Sequence, residues 1–313
     1  MIRNCTLLFA LLTPSVMATS VPISWSLAGV WQVQDANDNP RPAGAGWRKL
    51  NVPANWYSAG YDHQGALWYR HAFTLPAQPP DIMTTLVFDG VDYLADVTLN
   101  GQSLGQHEGY FQRFSLDATG ALQRHNQLII RVDSPFEDPQ TVWPLHKTAM
   151  KGILNQHDTR PGGAWSPEGQ DANSGGIWAP VRLHLSRGAT IDDIILRPDW
   201  TQGLTHPALK AEIRYRALQS ERATVRLTAT PANFNGKRFE ADFPVTLKSN
   251  AHSVQVTLPM TGAKLWWPVG TGKPHLYTVR ASLRDKTGLM DTAVTRTGLR
   301  KIVEQPGNTG WLI

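Results

Sequence analysis

Three groups of side chains in this chain have the types and spacing to do chemistry. In Val91-Asp92-Tyr93-Leu94-Ala95-Asp96 two carboxylates stand close together, and carboxylates are the commonest source of acid/base work after histidine. In His107-Glu108-Gly109-Tyr110 an imidazole adjoins a carboxylate. From Asn155 to Gly176 the chain reads NQHDTRPGGAWSPEGQDANSGG, where Asp158, Arg160, Glu168, Gln170, Asp171 and Asn173 crowd around Trp165. Planar hydrogen-bonding side chains beside an aromatic ring suit a sugar: the hydroxyls take the bonds and the C–H face lies on the ring.

The first two groups also have a plain structural reading. Val91, Tyr93, Ala95, Val97 and Leu99 alternate with Asp92, Asp96 and Thr98, the period of a half-buried strand. Asn100-Gly101 follows at once, and both residues tolerate the positive φ of a two-residue hairpin turn. Asp92 and Asp96 are therefore expected on the solvated face of a hairpin, with no catalytic part. Glu108 has no partner carboxylate specified by sequence, and a hydrogen bond to backbone is expected for it. His107, His146 and His157 lack metal-ligand spacing, so no metal is expected. No Gly-rich phosphate loop and no nucleophile elbow occurs, and no cofactor is implied. The third group is the better candidate, with substrate-binding roles open to Asp171, Gln170, Asp158, Arg160 and Trp165. The competing reading makes Asp158 and Arg160 a structural ion pair that holds the loop.

The elements that must position these groups are strands. Helical periodicity is nearly absent. Leu128 to Val132 forms one apolar run, and Val181, Leu183 and Leu185 alternate with Arg182 and His184. Leu209, Ala211, Ile213, Tyr215 and Ala217 alternate with charged residues; Val225-Leu227-Ala229, Val254-Val256-Leu258 and Tyr277-Val279-Ala281-Leu283 follow. Many short strands at this spacing predict an all-β chain of sandwiches. Residues 19–187 are rich in Trp and Gly and hold one long stretch, Pro135 to Ile177, with little strand pattern. Residues 188–302 carry about seven strands, the size and rhythm of an immunoglobulin-like sandwich without its disulfide. The boundary falls near Arg187-Gly188.

The chain has 313 residues, a net charge of +5, 18% charged and 41% hydrophobic residues, which describes a packed protein of about two domains rather than a disordered one. Its Lys and Arg residues are dispersed, so no phosphate-tracking stripe for nucleic acid is expected. Residues 1–18 read as a signal peptide: Arg3, an apolar core from Thr6 to Leu12, and Val16-Met17-Ala18 before a cut. That core is too short to span a bilayer, and an uncleaved anchor is the second reading. The mature protein is then exported, periplasmic or secreted, with no membrane association after cleavage. The single cysteine, Cys5, leaves with the signal, so no disulfide, zinc–thiolate site or cysteine nucleophile remains.

Several segments now occur in an informative order: LAGVWQV, NVPANW, LWYRHAFTLP, LVFDGVDYLADVTLNGQSLGQHEGYFQRF, NQLIIRVDSP and NSGGIWAPVRLHL, then KLWWPVGTGKPHLYTVRASL and GLRKI. In this order and spacing they resemble glycoside hydrolase family 2, the family of β-galactosidases, β-mannosidases and β-glucuronidases, over roughly residues 26–302. The resemblance implies a jelly-roll sugar-binding-type domain over 19–187, an immunoglobulin-like domain over 188–302, and in 303–313 the start of a linker to a catalytic (β/α)₈ barrel that this sequence does not contain. In such enzymes the barrel carries two glutamates for a retaining mechanism; the family's Asn-Glu dipeptide does not occur here. Some members send a loop from the first domain to the sugar, and by position Asp171 or Gln170 matches it. Three readings follow: the non-catalytic front of a glycosidase, inactive alone, its barrel lost or separately encoded; a stand-alone carbohydrate-binding module; or an assembly subunit without ligand. No oligomeric state is specified.

Overall fold

The computed structural model describes residues 22–38, 41–42, 44–136, 150–154, 159–160, 173–249, 252–304 and 311–312. Among these there is no helix. The first sandwich is built from β1 (Ile23–Ser26), β2 (Gly29–Asp35), β3 (Arg48–Val52), β4 (Gly65–Thr74), β5 (Ile82–Phe88), β6 (Leu94–Leu99), β7 (Gln102–Glu108), β8 (Phe114–Asp117), β9 (His125–Ser134) and β12 (Val181–Arg187). A six-stranded antiparallel sheet, β3-β2-β4-β9-β6-β7, faces a four-stranded one, β1-β12-β5-β8. Two short strands, β10 (Ile153–Leu154) and β11 (Thr159–Arg160), pair with each other inside the stretch that sequence pattern leaves featureless.

Alternation places the core as expected on most strands. Ala95, Val97 and Leu99 of β6, Leu128, Ile130 and Val132 of β9, and Val181, Leu183 and Leu185 of β12 all point into one buried cluster with Trp31, Trp56, Phe88 and Tyr69. On β4 the ring in the core is that of Tyr69; its neighbour Trp68 is only half-buried and stands in cross-strand register with Gln34 and Arg131 on the outer face.

The second sandwich comprises β13 (Ala189–Asp199), β14 (Ala208–Ala217), β15 (Glu221–Pro231), β16 (Phe239–Leu247), β17 (Ser253–Pro259), β18 (Tyr277–Asp285) and β19 (Gly288–Thr297). Sheets β13-β14-β17 and β16-β15-β18-β19 enclose a separate core that includes Ile213, Tyr215, Leu227, Val279 and Leu283. A last short pair, β20 (Val303–Glu304) and β21 (Trp311–Leu312), follows. The fold is all-β, a jelly-roll sandwich followed by an immunoglobulin-like one. One residue, Gly188, separates β12 from β13; its N–H donates to the Asp81 carbonyl and its own carbonyl accepts from Leu218, so the link is pinned on both sides.

Candidate functional site

The expectation that Asp92 is solvated is overturned. Strand β6 begins at Leu94, so Asp92 lies before it, where the alternation of β6 no longer sets the face; its side chain is 1% exposed. Asp96 fulfils the expectation: it lies inside β6, is part-exposed, and accepts from Gln106 Nε2 at 3.3 Å. Glu108 is exposed at the end of β7.

Asp92 belongs to a buried polar cluster. Its Oδ2 accepts from Ser174 Oγ at 2.6 Å, and its Oδ1 lies 3.0 Å from Ser134 Oγ and 4.0 Å from Lys151 Nζ. Lys151 is 2% exposed; its ammonium donates to Ser134 Oγ, to Asn173 Oδ1 at 2.6 Å and to the Ser174 carbonyl at 3.2 Å. Asn173 Nδ2 returns a bond to the Ser134 carbonyl at 2.9 Å. Three donors of one ammonium thus find three acceptors, which a buried lysine requires. Burial pushes the Asp92 carboxyl above its ordinary range, while Lys151 and the two serine hydroxyls pull it back. Nearby, burial and then the Asp92 charge raise the Tyr110 hydroxyl to about 12.

Backbone geometry seals this cluster. Asp92 and Gly176 exchange N–H···O bonds of 2.9 and 3.1 Å. Gly176 holds φ +108, open to glycine and strained for other residues. A Cβ at Gly175 would come within 2.0 Å of the Trp56 ring, so only glycine lets that ring close over the turn. Trp56 Nε1 in turn donates to the Asn173 carbonyl at 3.0 Å. Enclosed on all sides, the Asp92–Lys151 pair has no room for a substrate. What it can do is position: it ties together Lys151 and Asn173, the two ends of the segment that carries the predicted sugar-binding residues.

Those residues divide as follows. Asp158, Trp165, Gln170 and Asp171 lie outside the described residues, as do Glu168, His146 and His157; Arg160 is placed only as backbone in β11. His107 has its ring stacked on Phe114 at 4.0 Å, and burial lowers its pKa. Among the described residues no group of three His, Cys, Asp or Glu side chains could hold a metal.

One polar cavity near the clamp was not anticipated. About 500 Å³ in volume, it is lined by Gln34, Asp35, Arg48, Tyr61, Asp62 and His63. His63 meets Trp56 edge-on at 5.4 Å, which places the cavity one side chain from the clamp. Arg48 lies over the Tyr61 ring at 5.7 Å. The stretch Gly60-Tyr61-Asp62-His63 carried a weak signal, a polar–aromatic mixture in a loop like that around Trp165.

Comparison with known proteins agrees with this architecture. A family model described as "Glycosyl hydrolase 2 galactose-binding domain-like" matches residues 31–178, and one described as "Glycosyl hydrolases family 2" matches 189–300. Beta-mannosidase B of Aspergillus flavus is 25% identical over 275 residues, covering 80% of this chain and 31% of the relative. Beta-mannosidase B of Aspergillus terreus is 26% identical over 322 residues, covering 91% and 36%. Among solved structures, a putative beta-galactosidase from Bacteroides fragilis superposes with TM-score 0.70 at 21% identity, over 93% of this chain and 42% of that one. A beta-glucuronidase of Bacteroides uniformis gives TM-score 0.68 at 19% identity, over 93% and 34%. The chain spans about a third of the length of the curated relatives it matches.

Proposed function

This chain belongs to glycosyl hydrolase family 2, and from that premise we propose that it is the non-catalytic amino-terminal part of a retaining β-glycosidase, inactive alone. The observation that carries the reading is coverage: both matched family models are accounted for by β-sandwiches, the described residues hold no helix from which a (β/α)₈ barrel could be made, and the relatives are about three times longer. A retaining mechanism needs a nucleophilic and a protonated carboxylate facing each other about 5 Å apart across the sugar. The one buried carboxylate of the clamp is tied to an ammonium instead. The parent reaction is hydrolysis of a terminal β-glycoside, and the names of the relatives make a β-mannoside the first substrate to try.

In this reading Asp171 and Gln170, with Asp158, Arg160 and Trp165, complete a sugar site on a catalytic barrel, on this polypeptide or a separate one, and the Asp92–Lys151 clamp sets where their loop starts and ends. The purified chain is expected to show no turnover of aryl β-mannosides, β-galactosides, β-glucosides or β-glucuronides at any pH. Turnover that disappears in Asp171→Ala would overturn the reading and make the loop an active site. We also propose export, periplasmic or secreted, on the strength of residues 1–18. Exported material should begin near Thr19 on amino-terminal sequencing, and Met1 at that position would refute it.

A further inference from the structure

The two sandwiches meet on the outer face of sheet β1-β12-β5-β8, and cross-strand register arranges that face. Ser24, His184, Thr85 and Asp117 form one row; Ser26, Arg182, Val87 and Ser115 form the next. Their neighbours Leu183, Leu185, Leu86 and Phe88 point the other way, into the core. Over these rows the second sandwich extends Thr190 to Asp192 of β13 and Thr292 to Val294 of β19. A cleft of about 340 Å³ remains between floor and overhang. That is the size of a small-molecule site, and domain interfaces are where such sites concentrate.

The cleft is held open by bonds that do not depend on a ligand. Arg216 Nη2 donates to Thr85 Oγ1 and to Asp192 Oδ1, both at 2.8 Å, bridging floor to overhang. His184 Nε2 meets Asp291 Oδ1 at 2.8 Å. Asp291 is fully buried and accepts from the N–H groups of Ile191 at 2.6 Å and Thr292 at 2.7 Å. Both strands of the overhang are therefore fastened through one carboxylate to a residue of the floor. A preformed cleft spends little of a ligand's binding energy on ordering.

Its charges are already compensated. Arg182 Nη1 binds Asp89 Oδ2 at 2.5 Å, Arg113 approaches the same carboxylate at 3.6 Å, and Arg216 is answered by Asp192. An anion would find little net charge here. A neutral ligand would find guanidinium donors, carboxylate acceptors and the hydroxyls of Ser24 and Ser115, with the half-exposed Val294 offering apolar surface. A hydroxylated ring with an apolar C–H face has that chemistry. We propose that the cleft between the sandwiches is a non-catalytic carbohydrate site for a neutral sugar ring. It goes beyond the function proposed above, needs no barrel, and shares no residue with the long loop.

The test is titration of the mature chain with mannose, galactose, β-1,4-mannobiose and glucuronate, followed by calorimetry and backbone-amide NMR. Neutral sugars should bind with millimolar Kd and shift amides of β8, β12 and β19. Ser115→Trp, which fills the cleft from an exposed edge position, and Arg113→Ala should each weaken binding about tenfold or more. Arg238→Ala, which removes a guanidinium paired with Glu240 at 2.6 Å and absent from the cleft lining, should leave it unchanged, and unaltered melting curves would show that all three variants fold. Absence of saturable binding, binding that survives both cleft substitutions, loss of binding in Arg238→Ala, or preference for glucuronate over neutral sugars would each overturn the proposal.

Discussion

Asp92 and Lys151 show what one buried pair asks of its surroundings. Two charges removed from water gain little net stability even when well paired, but removing one partner strands the other, at a cost of about 3–5 kcal/mol. Asp92→Asn should therefore destabilise the first sandwich by that order, although Asn nearly preserves the shape. Asp92→Leu combined with Lys151→Met should cost clearly less than the sum of the two single changes, since neither charge is then left over. Urea denaturation of the four proteins measures the coupling. A cost below about 1 kcal/mol for Asp92→Asn would return Asp92 to the solvated role that its alternation with Val91 and Tyr93 suggests.

Strands and turns of the β6–β7 hairpin respond to different changes. Asn100 and Gly101 have φ of 53 and 83, and Asn100 also fastens the turn: its Nδ2 donates to the Ala121 carbonyl at 2.8 Å and its Oδ1 accepts from the Gln127 N–H at 2.8 Å. Replacing Asn100-Gly101 by Val-Val should cost about 1–3 kcal/mol per residue from backbone strain, and more for the lost bonds. Asp96→Asn, on the outer face of the same hairpin, should stay within about 0.5 kcal/mol. Thermal melting of both variants decides; a harmless turn replacement would mean that packing against β9, not the turn, sets the register.

For the molecule as a whole, the contact between sandwiches is where pH should act. Arg187 Nη1 and Nη2 grip Asp285 Oδ2 and Oδ1 at 3.0 and 2.8 Å, joining the end of β12 to the end of β18. Hydrogen bonds from Arg187, then from Thr287, hold the Asp285 carboxyl far below the usual carboxylate range. A depressed folded-state pKa contributes stability that is complete above the unfolded value of about 3.9 and is lost as pH falls toward the folded one. Melting temperature should thus fall with acid below about pH 4. Asp285→Asn should melt lower at neutral pH with a shallower acid decline. Identical acid limbs in the two proteins would place the acid sensitivity elsewhere.

Sequence alone determined the all-β class, both cores, the hairpin turn and the resemblance to a glycosidase family. Each of these is written in local pattern. Period-two alternation puts Val181, Leu183 and Leu185 inside, whatever lies opposite, and positive φ at Asn100-Gly101 is a property of those two residues. Tertiary structure decided the rest. Alternation reports a face only within its strand, so it failed for Asp92, which precedes β6 and is buried by Lys151, Ser134 and Ser174 arriving from distant parts of the chain. Likewise alternation turns Arg182 away from Val181 and Leu183, but nothing local joins it to Ser24, Thr85 and Ser115 on three other strands. Only the pairing order of the sheet, and a second sandwich fastened over it through Asp291 and Arg216, turns them into one cleft.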